Sequence, residues 1–368
     1  MSNRAWSRRD FLRRAGLAAG ATAFAGRAAN AIGRSAATDL WRTFEITTRV
    51  EVLDHDGPTR VWLPTPLAET PYQRTLGDTY RAETGFVEMV ERAGESLDML
   101  VGDWRAGVAP VLNVTSRITT RDYTIDLKRP AVPPPADLSS FTAFLRPTRL
   151  IPTDGIVKKT ADQITRGSDT DIDRARAIYE WIVENTVRDP ATKGCGLGDI
   201  RFMLESGNLS GKCADLNALF VGLARAAGIP ARDVYGLRIA PTRLDAKSLG
   251  LSTPVATRAQ HCRAEVYLTG FGWVPVDPAD VRKVALEEPP GNLPLDDPRV
   301  RAARARLFGS WEMNWMGFNY AHDVVLPGAH KGSLPFFMYP VAETGNRRVD
   351  SLDPDAFRYS ITVAEIRD

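Results

Sequence analysis

The chain has 368 residues, 43% hydrophobic and 25% charged, with a formal net charge of +2 and three cysteines. That composition excludes disorder as the default, allows a sizeable core and, with the length, suggests two domains. Six Arg and one Asp fall within residues 1–31, so the rest carries +2 − 5 = −3, which leaves no electrostatic ground for a nucleic-acid partner.

Residues 1–31 read as a removable export signal. Ser7-Arg8-Arg9-Asp10-Phe11-Leu12 resembles the twin-arginine motif, an Ala/Gly-rich run extends from Ala15 to Ala25, and Ala29-Asn30-Ala31 has the form of a cleavage site. The expectation is a periplasmic or otherwise exported protein whose precursor meets the twin-arginine export machinery. No stable membrane insertion is expected once the signal is gone, because the apolar run falls short of the ~20 residues a span needs. An odd cysteine count in an exported chain leaves at least one thiol unpaired.

From residue 40 to 130 the pattern has period two, in Phe44 to Val52, Thr59 to Leu63 and Leu112 to Leu127, which predicts an antiparallel β domain with one buried face. Asp54-His55-Asp56-Gly57-Pro58 and Leu76-Gly77-Asp78 read as turns. Residues 131–150, following Pro130 and holding Pro133, Pro134 and Pro135, read as an extended connector.

A core over residues 151–285 then changes period. Ala175, Ile178, Trp181 and Ile182 predict a helix over 171–186. Leu216, Leu219, Phe220, Leu223 and Ala224 predict a second from about Gly211 to Ala227, capped by Ser210 or Gly211 and stopped at Gly228. Strands follow at Asp233 to Ile239, His261 to Leu268 and Trp273 to Val276, so the fold class is α+β. Gly194-Cys195-Gly196-Leu197-Gly198 reads as a flexible loop near a cleft. Residues 286–368 form an aromatic-rich segment with Trp311, Trp315, Phe318, Tyr320, Phe336, Phe337 and Tyr339. It is expected to pack on the core, and some of its rings are candidates to wall a cleft.

Cys213 opens the second helix, where backbone N–H groups and helix-end potential favour a thiolate, and Lys212 adds positive charge. Its own N–H is a candidate oxyanion donor. Of four histidines, His261 opens a strand, and Asp277 follows 16 residues later. A thiol nucleophile needs such a base and a group to orient it. Metal chemistry has no H-E-x-x-H or C-x-x-C motif behind it, and no cofactor is expected.

Gly211-Lys212-Cys213-Ala214-Asp215, the run Leu223 to Arg232, and His261 through Gly272-Trp273-Val274-Pro275-Val276-Asp277-Pro278 together resemble the transglutaminase-like superfamily. Val61-Trp62-Leu63-Pro64 also looks like the β-rich N-terminal part of its bacterial members. The resemblance implies a papain-like α+β core with a Cys213, His261, Asp277 triad acting on a peptide or protein amide, with hydrolysis favoured. Transamidation, or a non-catalytic binding module that kept the fold, is the alternative. No Trp lies between Trp181 and Cys213, so a second oxyanion donor is unassigned.

A hairpin through Leu268-Thr269-Gly270 would pair residues summing to 538 and set His261 opposite Asp277, with Cys213 at the other ring nitrogen. Alternation sends Cys262 to the opposite, apolar face with Ala264, Val266, Val274 and Val276. A Cys195 to Cys262 disulfide remains open.

Overall fold

The computed structural model describes residues 40–92, 96–133 and 139–367. The expected export signal and Pro134 and Pro135 of the connector lie outside them. Among the described residues no helix is long and apolar enough to cross a membrane.

Two antiparallel sheets form the β-rich half. One carries strands in the order 357–366, 42–52, 111–120, 73–82, and the other 347–349, 341–344, 59–64, 97–104, 86–92. The period-two residues do what alternation requires: Val50, Val52, Leu112 and Val114 of the first sheet pack on Val61, Leu63 and Leu100 of the second. The C-terminal segment does more than cover the core, because Phe357–Ile366 pairs along the whole of Arg42–Val52 and Val341–Thr344 pairs with Thr59–Pro64. Leu76-Gly77-Asp78 is not a turn. It is an irregularity inside strand Gln73–Ala82, where the register shifts between Thr75 and Gly77. An extra residue can be absorbed as a bulge without ending the strand when the flanking residues keep pairing.

Among the described residues there are six α-helices: α1 (Gly155–Ile164), α2 (Asp171–Asn185), α3 (Ile200–Ser206), α4 (Cys213–Ala226), α5 (Pro278–Glu287) and α6 (Pro298–Arg306). They pack against one face of a sheet of order 272–276, 260–268, 231–238, 315–319. Every residue of α4 is buried, so its apolar stripe is the part that meets Ala264, Val266 and Val276 while its other faces meet other buried elements. The opposite face of strand Gln260–Leu268 carries His261, Arg263 and Glu265, and it is buried too. The aromatic segment covers it: the Arg263 guanidinium lies 4.9 Å from the Trp315 ring, and Arg232 lies 3.8 Å from Tyr320.

The hairpin register differs from the expected one. Ala264 faces Val276, Glu265 faces Pro275 and Leu268 faces Gly272, a sum of 540 rather than 538. Gly270 and Gly272 both take left-handed conformations, with φ of 84° and 76°, and the pairing closes at Gly272. Because the slip is by two residues, every side chain keeps its face. Arg263, not His261, therefore lies level with Asp277.

Candidate active site

Helix α4 starts at Cys213 with Lys212 as its N-cap residue, rather than Ser210 or Gly211. The cap is built from inside the helix: Asp215 accepts a hydrogen bond from the Lys212 backbone N–H at 2.9 Å. The same carboxylate accepts from the N–H groups of Leu197 and Gly198 at 3.0 and 2.9 Å, and the Ala214 N–H donates to the Cys195 carbonyl at 2.9 Å. The glycine-rich loop is thus pinned to the helix start and is not a free flap. Gly196 has φ of 93°, and a Cβ there would lie 1.8 Å from an Asp215 oxygen. As first helical residue, Cys213 keeps an N–H outside the i→i−4 ladder.

Strand Gln260–Leu268 outruns its partner Gly272–Val276, so His261 lies beyond the last cross-strand pair. Its position is fixed from the other side of the strand, within the same sheet. Trp315 Nε1 donates to the His261 carbonyl at 2.8 Å, and Gly236, paired opposite, leaves room for a close approach in which a Cβ would meet the Met316 carbonyl at 2.0 Å. Asp277 closes its strand and caps α5, accepting from the Asp280 N–H at 3.0 Å through Oδ1. Oδ2 lies 2.8 Å from His261 Nε2. The two-residue slip is within diagonal reach, so the contact survives the changed register.

The structure brings the three sequence-identified residues together in one buried cluster and adds five others. Asp280 Oδ2 lies 3.4 Å from His261 Nε2, Arg238 pairs with Asp280 at 2.5 Å, and Arg263 lies 3.6 Å from Asp277. Asn217, one turn after Cys213, donates to Asp277 Oδ1 at 3.2 Å and to the Cys262 carbonyl at 2.9 Å. Trp315 is the fifth. Of these, only Asp280 had a local signal: in Asp277-Pro278-Ala279-Asp280 it occupies the third position of a Pro-started helix, as in a capping box. Arg238, Arg263, Asn217 and Trp315 reach the site only through tertiary contacts.

The electrostatics separate the three thiols, all of which are free and buried. Hydrogen bonds from Cys195 and Cys262, aided by His261, overcome burial and hold Cys213 well below the usual thiol value. The bond to Cys213 and burial push Cys195 well up, and burial, with the bond to Cys213, does the same to Cys262. Cys262 therefore packs in the core as expected, yet its thiol also touches the nucleophile candidate. For His261, burial and the Arg238 charge oppose protonation, but Asp280 and Asp277 outweigh them and raise it to about 10. Burial and its neighbour Asp280 raise Asp277, whereas Arg238 and His261 overcome burial and keep Asp280 well below the usual carboxyl value. His261, Asp277 and Asp280 offer ligand-type atoms within 4.8 Å of one another. Two guanidiniums already supply the positive charge that a cation would bring there.

Cys213 and His261 line a cleft of 610 Å³ that also includes Gln260 and Tyr339. Tyr339 is shared with a second cavity of 740 Å³, lined by Leu197, Phe202, Phe336 and Phe337 on the far side of the glycine-rich loop. The aromatic segment thus serves both expected roles: Trp311 and Trp315 are fully buried, while Tyr339 walls the cleft.

The model of the transglutaminase-like superfamily matches residues 158–278, which hold all three sequence-identified residues. An uncharacterised protein of Haemophilus influenzae is 36% identical over 320 residues, 82% of this chain and 85% of its own. The chain belongs to the transglutaminase-like superfamily. Among solved structures, a candidate cysteine protease from Cytophaga hutchinsonii aligns over 90% of this chain and 92% of its own, with 16% identity and a TM-score of 0.54, which is a likeness of fold. The periplasmic domain of TgpA from Pseudomonas aeruginosa aligns over 63% of this chain and 89% of its own, with 16% identity and a TM-score of 0.32. The superfamily's α+β fold is therefore this chain's fold, as the Cys213 and His261 to Asp277 stretches implied.

Proposed function

We propose that the chain is a thiol-dependent acyl-transfer enzyme acting on an amide or peptide bond, with Cys213 as nucleophile, His261 as acid and base, and Asp277 orienting the ring. The observation that carries this reading is the ring of His261, held by Asp277 at 2.8 Å on Nε2, beside a thiol lowered at a helix start that opens on a cleft. Lowered thiol and raised imidazole favour a thiolate–imidazolium pair at rest. The thiolate attacks the carbonyl carbon, and the Cys213 N–H is positioned to stabilise the oxyanion. As the C–N bond breaks, the imidazolium gives its proton to the leaving amine, which leaves a thioester on Cys213. His261, now neutral, takes a proton from water as the water attacks, and collapse of the second oxyanion releases acid and regenerates the pair. Replacing that water by an amine would give transamidation. Hydrolysis is the reading preferred here, for an exported chain.

Export by the twin-arginine route, with a periplasmic destination, belongs to the same proposal and rests on Arg8, Arg9 and the Ala29-Asn30-Ala31 stretch. So does a division of labour in which residues 151–285 carry the chemistry and the β-rich flanks support it.

The test is intact-protein mass spectrometry after brief exposure to peptide amides and to amide-plus-amine mixtures. A substrate-sized acyl adduct that maps to Cys213 and is absent from Cys213→Ala supports the reading, and the released product, acid or new amide, distinguishes the two outcomes. Full turnover by a correctly folded Cys213→Ala would overturn it.

A further inference from the structure

We propose that the cleft beside Cys213 selects a peptide that carries a carboxylate close to the scissile amide, an inference that rests on the acyl-transfer reading above. Seven of the 25 residues lining the cleft are Lys or Arg, and none is Asp or Glu. Some of this charge is compensated from behind, since Lys193 pairs with Asp350 and Arg238 with Asp280. The rest is not. Arg188 and Lys283 share the single carboxylate of Glu287. Lys212, next to the nucleophile, donates its ammonium to the Thr192 carbonyl at 2.6 Å. Arg258 is exposed and has no ion-pair partner among the described residues, and Arg358 reaches Glu51 only at 3.9 Å.

Burial, followed by the charges of Arg188 and Arg238, lowers the Lys283 ammonium from its usual value. Partly buried cations crowded round one carboxylate are costly unless a bound anion completes the set. A carboxylate suits the fork of Arg and the point charge of Lys. The size of the cleft, 610 Å³, fits a short peptide segment. The cations line the same cleft as the Cys213 thiol, which attacks acyl carbon.

Two short peptide aldehydes, identical except for Glu or Gln beside the aldehyde-bearing residue, test this by reversible addition to Cys213. The Glu peptide should bind at least about tenfold tighter at low salt, with the advantage shrinking as salt is added. Lys283→Met leaves Arg188 and Glu287 as a one-to-one pair, and Arg258→Gln removes an exposed cation without stranding a partner. Each should cut the Glu-to-Gln ratio by about threefold or more. Equal binding of the two peptides, or a ratio indifferent to both substitutions, would overturn the anionic-substrate inference and leave the acyl-transfer reading standing. Addition of neither aldehyde to Cys213 in folded protein would overturn both.

Discussion

Two buried His–Asp pairs meet on strand Ala231–Arg238 and its neighbours, and they behave in opposite ways. At His261 the carboxylates of Asp277 and Asp280 hold the ring protonated up to about pH 10. His322 lies 3.4 Å from Asp233, yet burial and the charges of Arg225 and Arg146 hold it well below the usual imidazole value, while burial pushes Asp233 up to about 7 against the pull of Arg225. Donors make the difference. Asp277 receives hydrogen bonds from His261, Asn217 and the Asp280 N–H, and Asp280 has the Arg238 guanidinium. Neither Asp233 oxygen has a hydrogen-bond partner among the described residues. A buried carboxylate can stabilise an imidazolium only if its own charge is kept, and that depends on what else points at it.

The largest expected effect separates the two histidines by function. His261→Asn should lower turnover of an amide substrate on the order of 10³–10⁴-fold, whereas His322→Gln should change it by no more than about threefold. Comparable losses in both, with both proteins folded, would erase the distinction.

Next in size is a stability effect at Asp233. Its folded value, about 7, exceeds the usual 3.8, so the native state binds the proton more tightly than the unfolded chain. The associated stabilisation is complete below pH 3.8, declines as pH rises and is lost above 7, a difference of roughly 4 kcal/mol at most. Asp233→Asn should therefore gain on the parent by up to roughly 4 kcal/mol as pH goes from 4 to 8, since any cost of placing an amide there is the same at both pH values and drops out of the difference. Urea unfolding at both pH values measures this. Parallel pH profiles for parent and variant would show that Asp233 is ionised throughout.

The smallest effect sharpens the account of His261. Protonation there should fail as pH rises through about 10, taking leaving-group protonation and turnover with it. Asp280→Asn removes one of the carboxylates that raise the ring, and the alkaline limb should move down by about one pH unit. Arg238 opposes the same protonation, so adding Arg238→Met should move the limb back. A limb that stays put in both variants would assign it to another group.

Elements with a strong local period were legible in the sequence, whereas helices α1, α3, α5 and α6 and strands Phe86–Arg92, Leu97–Trp104 and Val341–Thr344 were not read from it. Helices α2 and α4 begin and end within two residues of the spans read from apolar spacing, and the strand carrying His261 keeps the face that alternation assigned. The thiol, the imidazole and the carboxylate were singled out from a helix start, a strand, a strand end and the family resemblance, but the register expected to set His261 opposite Asp277 was two residues off, and the two meet diagonally instead. The pairing of Phe357–Ile366 with Arg42–Val52 joins segments about 300 residues apart and leaves no local trace.

What the sequence by itself determined is therefore helices α2 and α4, the strongly alternating strands, the faces those elements bury and the three candidate reactive groups, since side-chain period and helix ends are properties of neighbouring residues. Tertiary structure alone decided the hairpin register, the pinning of the glycine loop by Asp215, the clustering of three thiols and the opposite shifts of His261 and His322. Those depend on which distant donors and guanidiniums converge on a buried group. In a low-dielectric interior, one such neighbour changes the energy of a charge by more than the residue's own identity does.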